Sequence, residues 1–157
     1  MFEVAALYKF SKILDPFETH NSIRSKLKDL SVYGTILVGG EGLNGTISAA
    51  NKKDLFDAID FLKQIDGFDD LDIKFSSSNK NPFVRLKVKL KKEIVTIGDE
   101  SIDPTREVGE YLNPNEWNKL LEDDEAIIID TRNNYEYSIG TFKKSINPNT
   151  SKFREFP

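Results

Sequence analysis

Tyr33-Gly34-Thr35-Ile36-Leu37-Val38 is followed by Gly39-Gly40-Glu41-Gly42-Leu43-Asn44-Gly45 and then by Thr46-Ile47-Ser48. The first run is rich in β-branched residues and predicts a strand. The second has four glycines in seven residues and predicts a turn or loop, because glycine tolerates positive φ angles that other residues resist. The third predicts the start of a returning strand. A hairpin at the centre of the first hundred residues organises what lies on either side.

Each side carries a helix and then a strand. Upstream, Asp15-Pro16-Phe17-Glu18 predicts a helix start, with Asp15 as cap, Pro16 in the first turn and Glu18 at the third position. Ile23, Leu27 and Leu30 follow at helical spacing, so the helix is expected to reach about Leu30. Downstream, Asn51 caps a second helix. Its stripe is Leu55, Ile59 and Leu62, widened by Phe56, and Gly67 ends it. Outside the helices lie an aromatic-rich strand, Phe2 to Phe10, and a further strand, Leu71 to Ser76. The clearest alternation comes next: Val84, Leu86, Val88 and Leu90 interleave with Arg85, Lys87 and Lys89. That predicts a strand with one apolar and one cationic face. Glu93-Ile94-Val95 is expected to extend the pairing.

The order β-α-β-β-α-β predicts an α+β sandwich of the ferredoxin-like or acylphosphatase-like kind, with two helices on one face of an antiparallel sheet and the other face open. This domain is placed at residues 1–97, with a polar linker at 98–109. Residues 110–157 carry a helix start at Asn113-Pro114-Asn115-Glu116, with Trp117, Leu120 and Leu121 as its apolar side. A fully apolar strand follows, Ala126-Ile127-Ile128-Ile129-Asp130, of the type found in parallel α/β sheets. A short helix over Asn133 to Ile139 ends at Gly140, and Asn147 to Thr150 is a turn. One strand does not complete an α/β domain, so 110–157 reads as an incomplete one.

Composition excludes several classes of chemistry. There is no cysteine and a single histidine, His20. Thiolate catalysis, disulfides, cysteine metal sites and imidazole triads are therefore closed to this chain. His20 is expected to be an exposed helix residue. No apolar run approaches the ~20 residues of a membrane span. The start lacks a secretory pattern, so a cytoplasmic location is expected. The net charge of −4 argues against a general nucleic-acid binder, yet the charge is segregated. Asp54, Asp57, Asp60, Asp66, Asp69, Asp70 and Asp72 face only Lys63, and read as a solvated helix face. Lys74, Lys80, Arg85, Lys87, Lys89, Lys91 and Lys92 then run on without an acid.

Two motifs resemble one family. Gly39 to Ser48 is similar to a signature of the bacterial tRNA uridine 5-hydroxylases, which are related to rhodaneses. Asp130-Thr131-Arg132-Asn133-Asn134-Tyr135-Glu136, with Gly140-Thr141-Phe142 and Asn147-Pro148, resembles the opening of a rhodanese domain and this family's version of it. Tyr111-Leu112-Asn113-Pro114, Glu116-Trp117, Phe153-Arg154 and Phe156-Pro157 also fit. The likeness runs in order along essentially the whole chain and matches the amino-terminal portion of such an enzyme. It implies a ferredoxin-like domain followed by a rhodanese-like one. It implies hydroxylation at carbon 5 of the wobble uridine, position 34 of tRNA. Molecular oxygen would be the co-substrate, and no other cofactor is evident. The family's cysteine sits in a tight loop where backbone N–H groups and a helix dipole stabilise a sulfur anion, and its place is beyond Pro157.

No catalytic residue and no metal site are therefore assigned here, and the chain is expected to be inactive alone. Its expected part is to bind tRNA, with Arg85, Lys87, Lys89, Lys91, Lys92 and Lys74 as candidate contacts; the alternative for these is a solvated strand face. Phe83 is either a base-stacking residue or an edge of the core. Glu41 and Asn44 are the functional side chains of the glycine loop, which could cradle a phosphate or simply shape a turn, with Asn44 bonded to its own turn. Asp130, Arg132 and Glu136 are candidate rhodanese-side residues; the structural alternative is a capping acid and an Arg132–Glu136 pair. Other functions remain open at this point. One is a truncated or split-gene product with a separate fragment carrying the rest of the rhodanese domain. Another is a non-catalytic RNA-binding module. A rhodanese-type sulfurtransferase ranks below both, since it needs the same cysteine.

Overall fold

A computed structural model describes residues 1–95, 97–98 and 109–156. Two compact units are present, the first being Met1–Val95 and the second holding the described residues from 109 onward. Of the linker expected over 98–109, only the two end glycines fall among the described residues.

The first unit runs β1 (Phe2–Phe10), α1 (Pro16–Leu27), β2 (Tyr33–Gly39), β3 (Gly42–Ala49), α2 (Lys52–Lys63), β4 (Asp72–Ser78) and β5 (Leu86–Leu90). The expected βαββαβ sandwich is what forms. Both helices start where their caps predict: Glu18 N donates to Asp15 Oδ1 at 2.8 Å and Lys53 N to Asn51 Oδ1 at 2.9 Å. Helix α1 stops at Leu27, a turn short of the expected end, and Leu30 packs on the core from the following turn. Phe56 does not widen the α2 stripe. It is half exposed and lies against Phe75 of β4, ring centroids 5.8 Å apart.

The glycine run is mostly strand. Only Gly40 and Glu41 turn the chain, and β3 already begins at Gly42. Crowding explains the glycines: a Cβ on Gly42 would lie 2.1 Å from Lys9 O, and one on Gly45 2.5 Å from Thr35 O. Gly42 also has φ +151°, a backbone that side chains resist.

Strand order is β4-β1-β3-β2-β5. The first four strands are antiparallel as expected, but β5 pairs parallel with β2, Leu86 against Gly34 through Leu90 against Val38. Geometry forces this. Strands β4 and β5 occupy opposite edges, four spacings of about 4.8 Å apart, or ~19 Å. The seven residues between them, Asn79 to Arg85, reach about 23 Å when fully extended. The connection must cross one end of the sheet almost straight, which reverses β5 relative to β4 and aligns it with β2. On its way Asn81 Oδ1 accepts from Ser48 Oγ (2.9 Å) and from Phe83 N (3.1 Å). The strand is also shorter than the alternation predicts. Val84 lies outside it, 95% exposed, because the crossing segment still occupies that position.

Ala5, Leu7, Ile36, Val38, Leu43 and Ile47 face the helices, where they meet Ile23, Leu27, Leu55, Ala58 and Leu62 in one core. Leu86 and Val88 join it from β5. The period of two then sends Ala6, Tyr8, Asn44, Thr46, Thr35, Leu37, Lys87 and Lys89 to the other face.

In the second unit, α3 spans Pro114–Glu122 and α4 spans Asn134–Ile139. Helix α3 has the predicted start: Asn113 Oδ1 accepts from Glu116 N (3.1 Å) and Glu116 Oε2 from Asn113 N (2.8 Å). The strand expected over Ala126–Asp130 is reduced to a single parallel bridge, Ile129 with Ile146. It is not buried on both faces: Ile128 is 6% exposed, but Ile127 is 75% and Ile129 46%. Among the described residues nothing covers that outer side.

Candidate nucleic-acid interface

The register of the first sheet settles which cations share a surface. Thr35 lies opposite Lys87 in β5 and opposite Thr46 in β3, Thr46 opposite Ala6, and Ala6 opposite Lys74. One row therefore reads Lys74, Ala6, Thr46, Thr35, Lys87. It has a small-residue floor and a lysine at each edge, ~19 Å apart by strand spacing. The next row ends on Lys89, beside Leu37, Asn44 and Tyr8. Lys74, Lys87 and Lys89 are thus brought to one face of the sheet. Arg85 precedes β5, and its carbonyl accepts from Gly34 N at 3.2 Å. Lys91 and Lys92 follow the strand and lie elsewhere, beside the start of α1.

Three cations elsewhere in the first unit are held in ion pairs. Lys9 meets Asp70, Lys52 meets Glu3 and Lys53 meets Asp57. Among the described residues no ion pair holds Lys74, Arg85, Lys87, Lys89 or Lys91. All five are exposed. Their charge is available to a ligand.

The loop candidates do something else. Glu41 Oε1 accepts from Ile94 N at 2.6 Å, and Asn44 Nδ2 donates to Ile94 O at 3.1 Å. Asn44 is not bonded to its own turn. The two side chains clamp both backbone groups of a residue some fifty positions downstream, and the Ile94 side chain is buried over Gly39 and Gly42. The segment expected to extend the pairing is a clasp over the hairpin and not a strand. The turn's carbonyls are also engaged: Gly40 O accepts from Ile13 N (3.0 Å) and Glu41 O from Ser11 N (2.9 Å). A phosphate cradle needs convergent N–H groups, and this turn presents oxygens.

Asp130, Arg132 and Glu136 do not converge on one point. The Asp130 carboxylate is buried and takes both arms of Arg132, Nε at 2.9 Å and Nη2 at 2.6 Å, together with Thr141 Oγ1 at 2.8 Å. The Arg132 hydrogen bonds, aided by Thr141, hold this carboxyl well below the usual carboxylate range. Arg132 also donates to Gly140 O at 2.7 Å, at the end of α4. Glu136 turns away to Asn133, whose side-chain amide donates to it at 2.9 Å. The expected Arg132–Glu136 pair is replaced by Arg132–Asp130, a planar bidentate fit that a helical i,i+4 contact does not offer.

His20 is half buried, not exposed. Its Nε2 lies 3.2 Å from Val88 O on β5. Sequence reasoning also passed over Leu14 and Phe17, 89% and 63% exposed beside Lys91 and Lys92. A signal existed: Phe17 lies six residues before Ile23, about 240° round the helix and off its apolar stripe.

Residues 2–94 match the family model described as the UPF0176 acylphosphatase-like domain. The chain belongs to this family. Curated relatives called tRNA uridine(34) hydroxylase align along 98% of the chain. The protein of Acinetobacter baumannii (strain AYE) is 46% identical over 154 residues, 48% of its own length. That of Legionella pneumophila (strain Lens) is 43% identical and covered over 60% of its length. That of Mesorhizobium japonicum is 47% identical and covered over 50%. The chain thus spans about half the length of the curated relatives it matches. Among solved structures, an acylphosphatase from Coxiella burnetii is 9% identical with a TM-score of 0.38, covering 56% of this chain and 90% of that one. A bacterial light-regulated adenylyl cyclase is 14% identical with a TM-score of 0.44, covering 60% and 30%.

Proposed function

We propose that this chain is the tRNA-holding part of an enzyme that hydroxylates wobble uridine at carbon 5 with molecular oxygen, working in the cytoplasm. The observation that carries this reading is the row of unpaired lysines on the exposed sheet face, Lys87 and Lys89 on one edge and Lys74 on the other. It occurs in a chain whose relatives are called tRNA uridine(34) hydroxylase. Cations spread over about 19 Å across a shallow floor suit the phosphates of a folded RNA. The chain has no cysteine, and no residue in it is assigned to the oxygen chemistry. The test is tRNA binding by the whole chain at several salt concentrations. Changing Arg85, Lys87 and Lys89 together to glutamate is expected to weaken binding at least about tenfold and to lower the log–log salt slope by about 2 to 3. Binding and slope both unchanged would remove the surface from consideration.

A second reading is favoured by the exposed flank of the second unit. Ile127, Ile129 and Ile146 are each about half exposed or more, which leaves an apolar strand edge and face unpaired. We infer that this unit is the first part of a rhodanese-like domain, completed by a further segment bearing a cysteine. Mixing the chain with the remaining half of a relative should slow amide hydrogen exchange from Ile127 to Asp130 and yield 5-hydroxyuridine in tRNA. Protected amides without product would favour a non-catalytic RNA-binding module. No change in exchange would end the complementation idea.

A further inference from the structure

We propose that the groove between the start of α1 and the end of β5 binds one unpaired nucleobase of an RNA, a flanking phosphate lying on Lys91. The inference rests on the RNA-binding reading of β5 and adds a site that the sheet face does not contain.

Leu14, Pro16, Phe17 and Leu90 line one concavity of about 460 Å³, with Lys91 and Lys92 on its rim. Leu14, Phe17 and Leu90 are 89%, 63% and 46% exposed. Three large apolar side chains gathered at one exposed corner offer an apolar surface to a ligand. The backbone on both sides is held in place. Phe17 stands on the first turn of α1, held by the Asp15 cap and Pro16. Lys91 is tied to β2, its N–H donating to Val38 O at 2.8 Å. A shallow, open concavity with an aromatic ring, aliphatic side chains and a lysine on one rim can take a flat base with a phosphate at its perimeter. A purely acidic peptide would leave these apolar side chains unused.

Charge also sets a direction. Asp15 lines the groove and keeps its negative charge while its carboxylate accepts from Glu18 N, so a phosphate is favoured only on the Lys91 side. On the far side of Leu14 and Asp15 a second concavity is lined by Glu18 and Asp66, with Lys12 the one cation among its lining residues. Phosphates are disfavoured there, so the RNA strand would leave the groove past Lys91 toward Lys89 and Lys87.

The test compares two RNAs of equal phosphate count against the whole chain by fluorescence anisotropy: a hairpin with an unpaired loop, and a blunt duplex. Phe17→Ala is expected to weaken the hairpin about tenfold while leaving duplex affinity and the salt slope unchanged. Lys91→Gln is expected to weaken both RNAs and to lower the slope by about 0.7 to 0.9. Phe17 and Lys91 are both exposed, so neither effect should come from unfolding. Suppose Phe17→Ala leaves the hairpin unaffected, or weakens hairpin and duplex equally, while the β5 glutamate variants still lose binding. The groove then holds no base, and only this inference fails. If the unaltered chain binds neither RNA, the sheet-face reading falls with it.

Discussion

The two units have equally good local signals and unequal interiors. In residues 1–95, helix caps, strand alternation and a tight hairpin converge on one core, with Leu27, Ile36, Leu55 and Phe68 essentially inaccessible. In the second unit, α3 carries a complete capping box and the Ala126–Asp130 run is more apolar than any strand of the first. Yet Ile128 is its one buried large apolar side chain among the described residues. Helix caps and apolar runs determine where elements start and which way they face. Burial depends on how many elements are present to share it. Five strands and two helices suffice in the first unit, whereas among the described residues of the second, one bridge and two α-helices leave isoleucines in water.

The largest expected effect lies in the first core. Leu27→Ala should cost about 2–5 kcal/mol, read as a fall in the midpoint of cooperative denaturation. Loss of stability below about 1 kcal/mol would show that this core is as loose as the second unit. Next comes the clasp. Glu41→Ala removes a charge-assisted hydrogen bond to Ile94 N and should cost about 1.5–3 kcal/mol. Its amide exchange signature should be confined to residues near Ile94 and the hairpin turn. Exchange that spreads evenly through β1 and β4 would contradict a local clasp. The smallest effect belongs to the second unit and depends on pH. Asp130 has a folded-state carboxyl held below its ordinary value. Its contribution is therefore present at neutral pH and is lost only as pH falls below about 3.9 toward the folded value. Fluorescence of Trp117, the single tryptophan, should report this in an acid titration. Asp130→Asn should lower stability at pH 7 and flatten the acid limb; an unchanged limb would mean that the Arg132 fork does not hold this unit together.

Much of the first unit was legible because its signals are local. Asp15 and Asn51 capped the helices they were expected to cap, and the alternation at Leu86–Leu90 placed the lysines on the outer face. What escaped notice was decided between segments far apart. The strand character of Gly42 and Gly45 depends on backbone pressing from β1 and β2. The parallel direction of β5 follows from the length of the crossing before it, and Val84 was lost to that crossing. Asn44 found Ile94, not its own turn, because the chain returns over the hairpin after β5. Arg132 had two acids within reach, and the planar fit to Asp130 outweighed the one-turn spacing to Glu136. Within the candidate interface, the lysines were readable as a run, but their division between a sheet face and a corner needed the register.

The clasp on Ile94 has a mechanical consequence. A pull on the chain beyond Val95 meets the hydrogen bonds that tie Ile94 to Glu41 and Asn44 first, and these belong to the hairpin joining β2 and β3, two of the three inner strands. Load is delivered to the middle of the sheet before it can peel the outermost strand. The lysine-bearing edge is thereby shielded from tension transmitted along the polypeptide.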